Sequence, residues 1–459
     1  MGKKYFIVWE IVNIIVSFLC MILSIRNNIN YNFYLLPLVF SLLFFICKNL
    51  KNLIGKYPGI TVCLFVMFMR YVIFPLILCK SGNLSIYAKN YNNINWAIII
   101  MIYEMIAIFL TLEISTKYTI KFNKSKKNRK KEEIKIRTPF IIVLIIVILL
   151  GGIYITNTNL LNSTAVFAKD SIDESITDTS GMIKIVWQCL TTWIFIFFIN
   201  IQKKKYDKST DNKYIIFSII LSLCFIGITY ISQSRISRWY TLVSAVSSIF
   251  LLRVLFPQKK KSITIIIIVP AIILILIASF LKSGVNSVFD LITVTSGDAY
   301  FAGPVSVNNA IGLAKSCSVG ITNIIYDFFN NMPIVNHFIK SGNSTVYLYN
   351  LYLGRIFSNS SGDQIIPLVG QSYIFFGWIL SPLLSVVSII LMRIADKQFF
   401  YATNYMKYVW AFISIWFGLE TILNMTINLS WIYIRIIPLF IMFWFIEKIS
   451  YKQKIEKRM

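Results

Sequence analysis

The sequence predicts an all-α, polytopic membrane protein with about twelve transmembrane helices and one large extracytoplasmic loop containing short helices. Three observations lead there. Of the 459 residues, 57% are hydrophobic and 14% charged, with a mean hydropathy of +0.70, and a soluble domain needs a more polar coat. The apolar residues come in long uncharged blocks, such as those from Ile141 and Ile263. Each is near the length that crosses about 30 Å of hydrocarbon at about 1.5 Å per residue, and neither alternates like a barrel strand. The basic residues, finally, crowd into alternate gaps between the blocks.

The first block, Tyr5–Ile25, follows Lys3 and Lys4 and ends in no small-residue cleavage site. It reads as the first span, not a removed signal peptide. Further spans fall near 33–47, 58–79, 94–116, 139–157, 183–201, 214–231, 239–256, 263–281, 370–392, 408–426 and 430–447. With the N-terminus inside, the cytoplasmic gaps hold Lys48, Lys51 and Lys56, then the basic loop 117–138, then Gln202–Lys208. Lys259–Lys261 follow, then Arg393, Lys397 and Lys407, and the tail with Lys457 and Arg458. The opposite gaps are poor in Lys and Arg, and the one near Lys169 carries Asp170, Asp173, Glu174 and Asp178. By the positive-inside rule, residues 1–459 form one integral domain of the cytoplasmic (cell) membrane with both termini in the cytoplasm.

The outside segment 282–369 is the long exception among short connections. It contains Gly, Pro, Ser and Asn, but also apolar stretches such as Ile321–Phe329 and Ser344–Leu353, which a disordered linker lacks. Short helices near the outer face are expected there, burying residues such as Ile325, Phe328 and Tyr347 against the spans.

The formal charge of +26 belongs to the orienting runs, so nucleic acid is not an expected partner. Seven cysteines are scattered without a CxxC pair or metal-like spacing to the single histidine, so no metal and no cofactor are expected.

Ionisable residues inside the apolar blocks are functional candidates, because each is costly there unless paired or wetted. Glu10, Glu113 and Arg253 lie near inner ends and can snorkel. Arg70 sits in the outer half of the third span, ahead of Pro75. It is both a candidate substrate-binding residue and a candidate ion-pair partner of Glu104, mid-span in the fourth helix. Glu420 and Arg435 lie towards the outer ends of the last two spans. There they can pair with each other, or Arg435 can bind substrate. Arg235 and Arg238 stand outside against the charge trend, and their i, i+3 spacing shares a helical face. Guanidinium fits phosphate oxygens bidentately, which suits either a pyrophosphate ligand or simple anchoring to lipid phosphates. In the long loop, Arg355 follows a glycine and is a further ligand candidate. His337, Asp298 and Asp363 are the candidate catalytic bases, His337 being the only imidazole in the chain.

The stretches from Tyr300 (YFAGPVSVNNAI) and from Leu353 (LGRIFSNSSGDQIIPLVGQSYIFFGWILSPLLSVV) resemble the Wzy-type oligosaccharide repeat-unit polymerases, which make O-antigen and capsular polysaccharides. In that family a Y-x-x-F-G segment opens the helix after the main outside loop; Tyr373, Phe376 and Gly377 are the matching residues. The resemblance implies a metal-independent glycosyltransferase of the outer membrane face. Its substrates would be undecaprenyl-pyrophosphate-linked oligosaccharides, its surroundings membrane lipids, and its protein partners a chain-length regulator and a flippase. Arg235, Arg238 and Arg355 match the outer-loop arginines that hold the pyrophosphate. The alternatives are a lipid-linked oligosaccharide flippase, an O-antigen-type ligase with a similar plan, and an ion-coupled transporter. A lipid-carrier glycosyltransferase with an acidic pair in its first outside loop fits poorly, since that loop is RNNINYN.

Overall fold

Hydrocarbon offers no hydrogen-bond partner to an open backbone, so apolar blocks of this length satisfy their own amides as helices. In a computed structural model of the protein every regular element among the described residues is helical. Those residues are 3–82, 84, 90–125, 140–156, 181–232, 238–283, 301–317, 319–329, 332, 335, 344–354 and 365–456. Among them, six helices are long and apolar enough to cross a membrane: Val8–Arg26, Pro58–Ser81, Ile94–Lys117, Ile183–Ser209, Lys213–Ile231 and Met425–Lys448. A seventh crossing is possible if Trp239–Leu255 and Pro257–Ile273, bent by 119° at Phe256, count as one. The protein is therefore an all-α, membrane-embedded chain. Leu35–Ile46 coincides with an expected span but has 12 residues.

Two units emerge, each drawn from separated stretches of chain. The first comprises Met1–Arg129, Ile292–Asp396 and Ser414–Tyr433. Its apolar interior includes Phe40, packed between Phe44, Phe68 and Phe109 with ring centroids 5.6–6.4 Å apart. The helix Pro58–Phe68 begins with proline at its first turn, where the missing N–H is no loss. Its free amides at Gly59 and Ile60 donate to the Asp396 carboxylate at 2.9 and 3.2 Å. Asp396 also accepts from Ser414 Oγ at 2.5 Å and pairs with Arg393. A carboxylate at a helix N-terminus meets the positive end of the dipole, so this contact ties two distant stretches at one point.

Part of the long loop is folded deep into this unit. The helix Pro304–Ser316 is buried along its whole first ten residues. Asn308 joins it to the chain ahead of the fourth span, donating to the Asn90 carbonyl at 2.7 Å and accepting from the Asn93 amide at 3.1 Å. Gly312 admits the Tyr352 hydroxyl, and Gly370 lies so near Ala310 that a Cβ there would stand 2.9 Å from the alanine methyl. Tyr349, Tyr352, Leu353 and Ile366 complete this core. The residues expected to be buried are not: Ile325, Phe328 and Tyr347 are 57%, 38% and 52% exposed. In Ile321–Phe329 the polar Asn323 and Asp327 face inward instead, and in Thr345–Gly354 Tyr349, Tyr352 and Leu353 take the buried side.

The stretch expected as one span at 370–392 is broken. The helix Leu368–Phe376 stops at Gly377, whose φ of +77° ends it, and a new helix runs Leu383–Tyr401. The Tyr373–Gly377 segment thus closes a short helix instead of opening a long one. Trp378, Ile379 and Leu380 in the turn are exposed, and Trp378 lies 6.4 Å from Trp96 at the start of the fourth span. Paired indoles suit a membrane–water interface.

The second unit comprises Lys130–Leu291, Lys397–Ile413 and Ile434–Met459. Phe195 stacks on Phe225 at 4.4 Å, and Tyr408 meets both edge-on. Buried Ser218, Ser222, Ser247 and Ser248 bond back to their own helix carbonyls, which makes hydroxyls tolerable in an apolar bundle. The turn between Gly181–Ser209 and Lys213–Ile231 is polar, with the Asp211 carboxylate accepting the Lys213 amide. That backbone N–H and the lysine ammonium hold the Asp211 carboxyl below its usual range.

Candidate functional site

Of the residues singled out from sequence, Asp298, His337, Asp363, Arg235 and Arg355 lie outside the described residues. Arg238 opens the helix Arg238–Leu255, but its side chain is outside the description as well. Arg70 and Arg435 can be placed in full. Each sits in a π-helical turn, Met69–Ile73 and Ile432–Ile436 respectively, and each turn is followed closely by a proline, Pro75 and Pro438. Proline removes an amide and crowds the carbonyl four residues back. Widening the turn absorbs that conflict, and such bulges recur at functional positions.

Arg70 is 1% exposed and its partner Glu104 fully buried, with 3.1 Å between Nη1 and Oε2. The Tyr71 hydroxyl donates to Glu104 Oε2 at 2.8 Å and the Ser385 hydroxyl to Oε1 at 2.6 Å. Arg70 Nη1 also donates to the Thr421 carbonyl at 2.8 Å, at the frayed end of the helix Asn404–Leu419. Burying two charges is favourable only when their remaining bonding capacity is met. Here four segments contribute bonds to both carboxylate oxygens and to Arg70 Nη1, so the pair anticipated from sequence forms as a lock inside the first unit.

Arg435 belongs to the second unit and Glu420 to the first, and each has partners in its own unit. Glu420 lies buried beside Ser388. Arg435 donates to Gln188 Oε1 at 2.5 Å and spreads over the Tyr240 ring at 4.3 Å from its centroid. A guanidinium stacked on an aromatic face stays positive and keeps its edge N–H groups turned towards planar acceptors. Arg435, Gln188, Cys189, Tyr240 and Phe412 line a small recess. Its free space is on the order of a single water, so a larger group reaches the guanidinium only if side chains give way. Chemically it offers a cation, an amide and apolar walls, a setting for one anionic or strongly hydrogen-bonding group. Sequence reasoning found Arg435 but neither Gln188 nor Tyr240. An uncharged Gln in the block Ile183–Asn200 is the signal that was present.

A second polar centre lies in the first unit. Asp327, fully buried, accepts the Thr345 amide at 2.8 Å and Gln371 Nε2 at 2.7 Å. Gln371 in turn accepts the Met425 amide at 2.7 Å. One carboxylate thereby caps the helix Thr345–Gly354, and through Gln371 it reaches the first amide of Met425–Trp431. Burial pushes the Asp327 carboxyl above its usual range, although the donors from Thr345, Gln371 and Thr426 pull the other way. With both oxygens engaged, Asp327 organises this part of the first unit and does not present a free base.

Comparison with protein-family models, with curated proteins and with solved structures finds no match for this chain.

Proposed function

We propose that this protein joins undecaprenyl-pyrophosphate-linked oligosaccharide repeat units into a surface polysaccharide on the outer face of the cytoplasmic membrane. The reading includes about twelve crossings with both termini cytoplasmic. Leu35–Ile46, Phe140–Thr156, Asn404–Leu419, the broken stretch Leu368–Tyr401, and Trp239–Leu255 and Pro257–Ile273 taken as two separate crossings supply those that length alone does not mark. In the reaction, an acceptor sugar hydroxyl attacks the anomeric carbon of the donor chain. The bond from that carbon to the pyrophosphate oxygen breaks, undecaprenyl pyrophosphate leaves, and the hydroxyl proton passes to a base. Asp298, His337 and Asp363 are the candidates for that base, and Arg235, Arg238 and Arg355 for holding the pyrophosphate.

The observation that carries the proposal is the Arg435 recess. It holds a stacked guanidinium beside an amide; the proposed topology assigns this group to the outer half of the last span, where preorganised donors would stabilise a departing anion. The flippase reading drew on Arg70 and Glu104 as charges lining a central path. Their burial as a pair bonded by Tyr71 and Ser385 weakens it.

Purified protein in liposomes, given lipid-linked repeat units, should lengthen glycan without nucleotide sugar or added metal. Arg435→Ala should lower the rate by about 10²–10³-fold, the usual cost of one lost oxyanion contact. Arg435→Lys should rescue poorly, because ammonium lacks the planar fork. Wild-type protein that moves the lipid across the bilayer without ever lengthening the glycan would replace this reading with the flippase.

A further inference from the structure

The short helix Ile321–Phe329 is amphipathic in an unusual sense. Its buried positions are polar, Asn323 and Asp327, while Ile325, Phe328 and Phe329 are exposed. In water that arrangement would be inverted. The helix cannot rotate to hide its apolar side, because Asp327 is held by the Thr345 amide at 2.8 Å and by Gln371 at 2.7 Å. Asn323 is used locally, accepting the Gly320 amide at 3.0 Å at the start of the same helix. Of the exposed positions Thr322 alone is polar, and it sits in the first turn.

The neighbouring helix Thr345–Gly354, tied to this one through Asp327, buries Tyr349, Tyr352 and Leu353 in the core but leaves other apolar positions open. It turns Tyr347 and Leu351, one helical turn apart, to the outside at 52% and 42% exposure. The Phe328 ring meets Tyr433 edge-on at 6.0 Å. Tyr433 belongs to the candidate span Met425–Lys448, whose most apolar window has a mean hydropathy of 1.9 and only 22% of its residues buried inside the protein. A helix so little covered by protein needs hydrocarbon around it, and Phe328 touches it at Tyr433.

We infer that the helix Ile321–Phe329, with Tyr347 and Leu351 beside it, lies in the outer leaflet with its Ile325–Phe329 face against lipid acyl chains. Its occupant is the hydrocarbon of the bilayer, not water and not a second protein surface. A helix of this kind buries its apolar side at the level of the headgroup–acyl boundary, while its polar side is satisfied by the protein. This part of the long loop is therefore a membrane-seated element that carries the Asp327–Gln371 centre at the lipid edge. The inference is independent of the chemistry proposed above.

Spin-label accessibility in the full-length protein tests it. Cys224 and Cys317 are changed to Ser; the other five cysteines are buried. Single cysteines are then introduced as Ile325→Cys and Phe328→Cys, labelled with a nitroxide, and reconstituted in phosphatidylcholine–phosphatidylglycerol vesicles. Collisions with molecular oxygen, which partitions into lipid, are compared with those of a water-soluble nickel chelate. Phe65→Cys, on the exposed side of the third span, gives the lipid reference, and Thr210→Cys, in the polar turn, the aqueous one. The expected result is an oxygen-favoured ratio at both sites, matching Phe65→Cys. A nickel-favoured ratio like that of Thr210→Cys overturns the inference in favour of water. Low collision with both reagents overturns it in favour of a protein cover. Ile325 makes no ring contact that the substitution removes, so its result stands even if Phe328→Cys loosens the Tyr433 contact.

Discussion

Polar side chains buried in an apolar surrounding must find partners or be expelled, and the carboxylates here show how differently that can be met. Glu104 is neutralised by Arg70 and bonded by Tyr71 and Ser385. Replacing it with Gln leaves the arginine charge buried against a neutral amide, and breaking such pairs costs about 3–5 kcal/mol. Glu104→Gln should lower the thermal midpoint in detergent, and Arg70→Met added to it should recover part of the loss. If the double variant were worse than the single one, the two residues would not be acting as a pair. Asp327 has no such countercharge, and its neighbours are amides and hydroxyls. Burial raises its folded pKa, so the folded state holds the proton more tightly than the unfolded chain, where the value is about 3.9. The stability linked to that proton is fully present below the unfolded pKa and is lost as pH rises through the raised folded one. Asp327→Asn should abolish this slope in a series of melts across the acid range. It should also cost about 1–3 kcal/mol, because an amide turned towards Gln371 leaves a buried donor without its acceptor. An unchanged slope would assign the pH dependence to another group. The Arg70–Glu104 pairing was legible in the sequence, since a cation and an anion stand at similar depth on successive spans. Asp327 was not selected as a site, because the residues it binds lie in three other segments and nothing in its own stretch marks them.

Helices in this chain are interrupted where backbone chemistry demands it, and the interruptions position the arginines. Pro75 and Pro438 each follow a π-turn that carries an arginine, so the sequence motif of a charged residue shortly before an intramembrane proline was a readable sign of both. Gly377 was less readable. It stands in a continuous apolar run, and hydropathy cannot register that its φ of +77° ends the helix. For the same reason the expected span at 370–392 became two helices. Close helix approach gives glycine a second role. At Gly59 an added Cβ would stand 2.8 Å from the Ser414 carbonyl and would also collide with the Ser414 hydroxyl and Met392. Gly227, by contrast, has nothing within 4 Å. Gly59→Ala should destabilise by about 1–3 kcal/mol through overpacking, and should weaken the Asp396 cap at the same helix start. Gly227→Ala should be neutral or gain up to about 1 kcal/mol of helix propensity. Equal melting shifts for the two variants would show that the close contact at Gly59 is easily relieved.

At the scale of the whole molecule, hydropathy and charge report different things. Hydropathy marks where apolar helix forms, and it located most of the long helices within a few residues, from Val8–Arg26 to Met425–Lys448. It does not distinguish a helix that crosses lipid from one buried by protein, which is why Pro304–Ser316 could not be read as an interior helix. Its polar Asn308 and Asn309 made it look like loop. Charge instead reports sidedness, through the energetic reluctance of Lys and Arg to be carried outward. Orientation therefore has its own test. Single cysteines at Ser175 and Ser341 should react in intact cells with a maleimide that cannot cross the membrane, whereas those at Ser125 and Ser209 should react only after the membrane is opened. Cys224 and Cys317 need replacing first, being the cysteines with exposure. The discriminating position is Ser125, within the basic loop 117–138: that loop holds the densest run of Lys and Arg in the chain, so its sidedness sets the parity of every crossing before and after it. Outside labelling at Ser125 together with protection at Ser175 would invert the orientation. It would put Arg435 and the outer-loop arginines on the cytoplasmic side, where a pyrophosphate departing at the outer leaflet could not reach them.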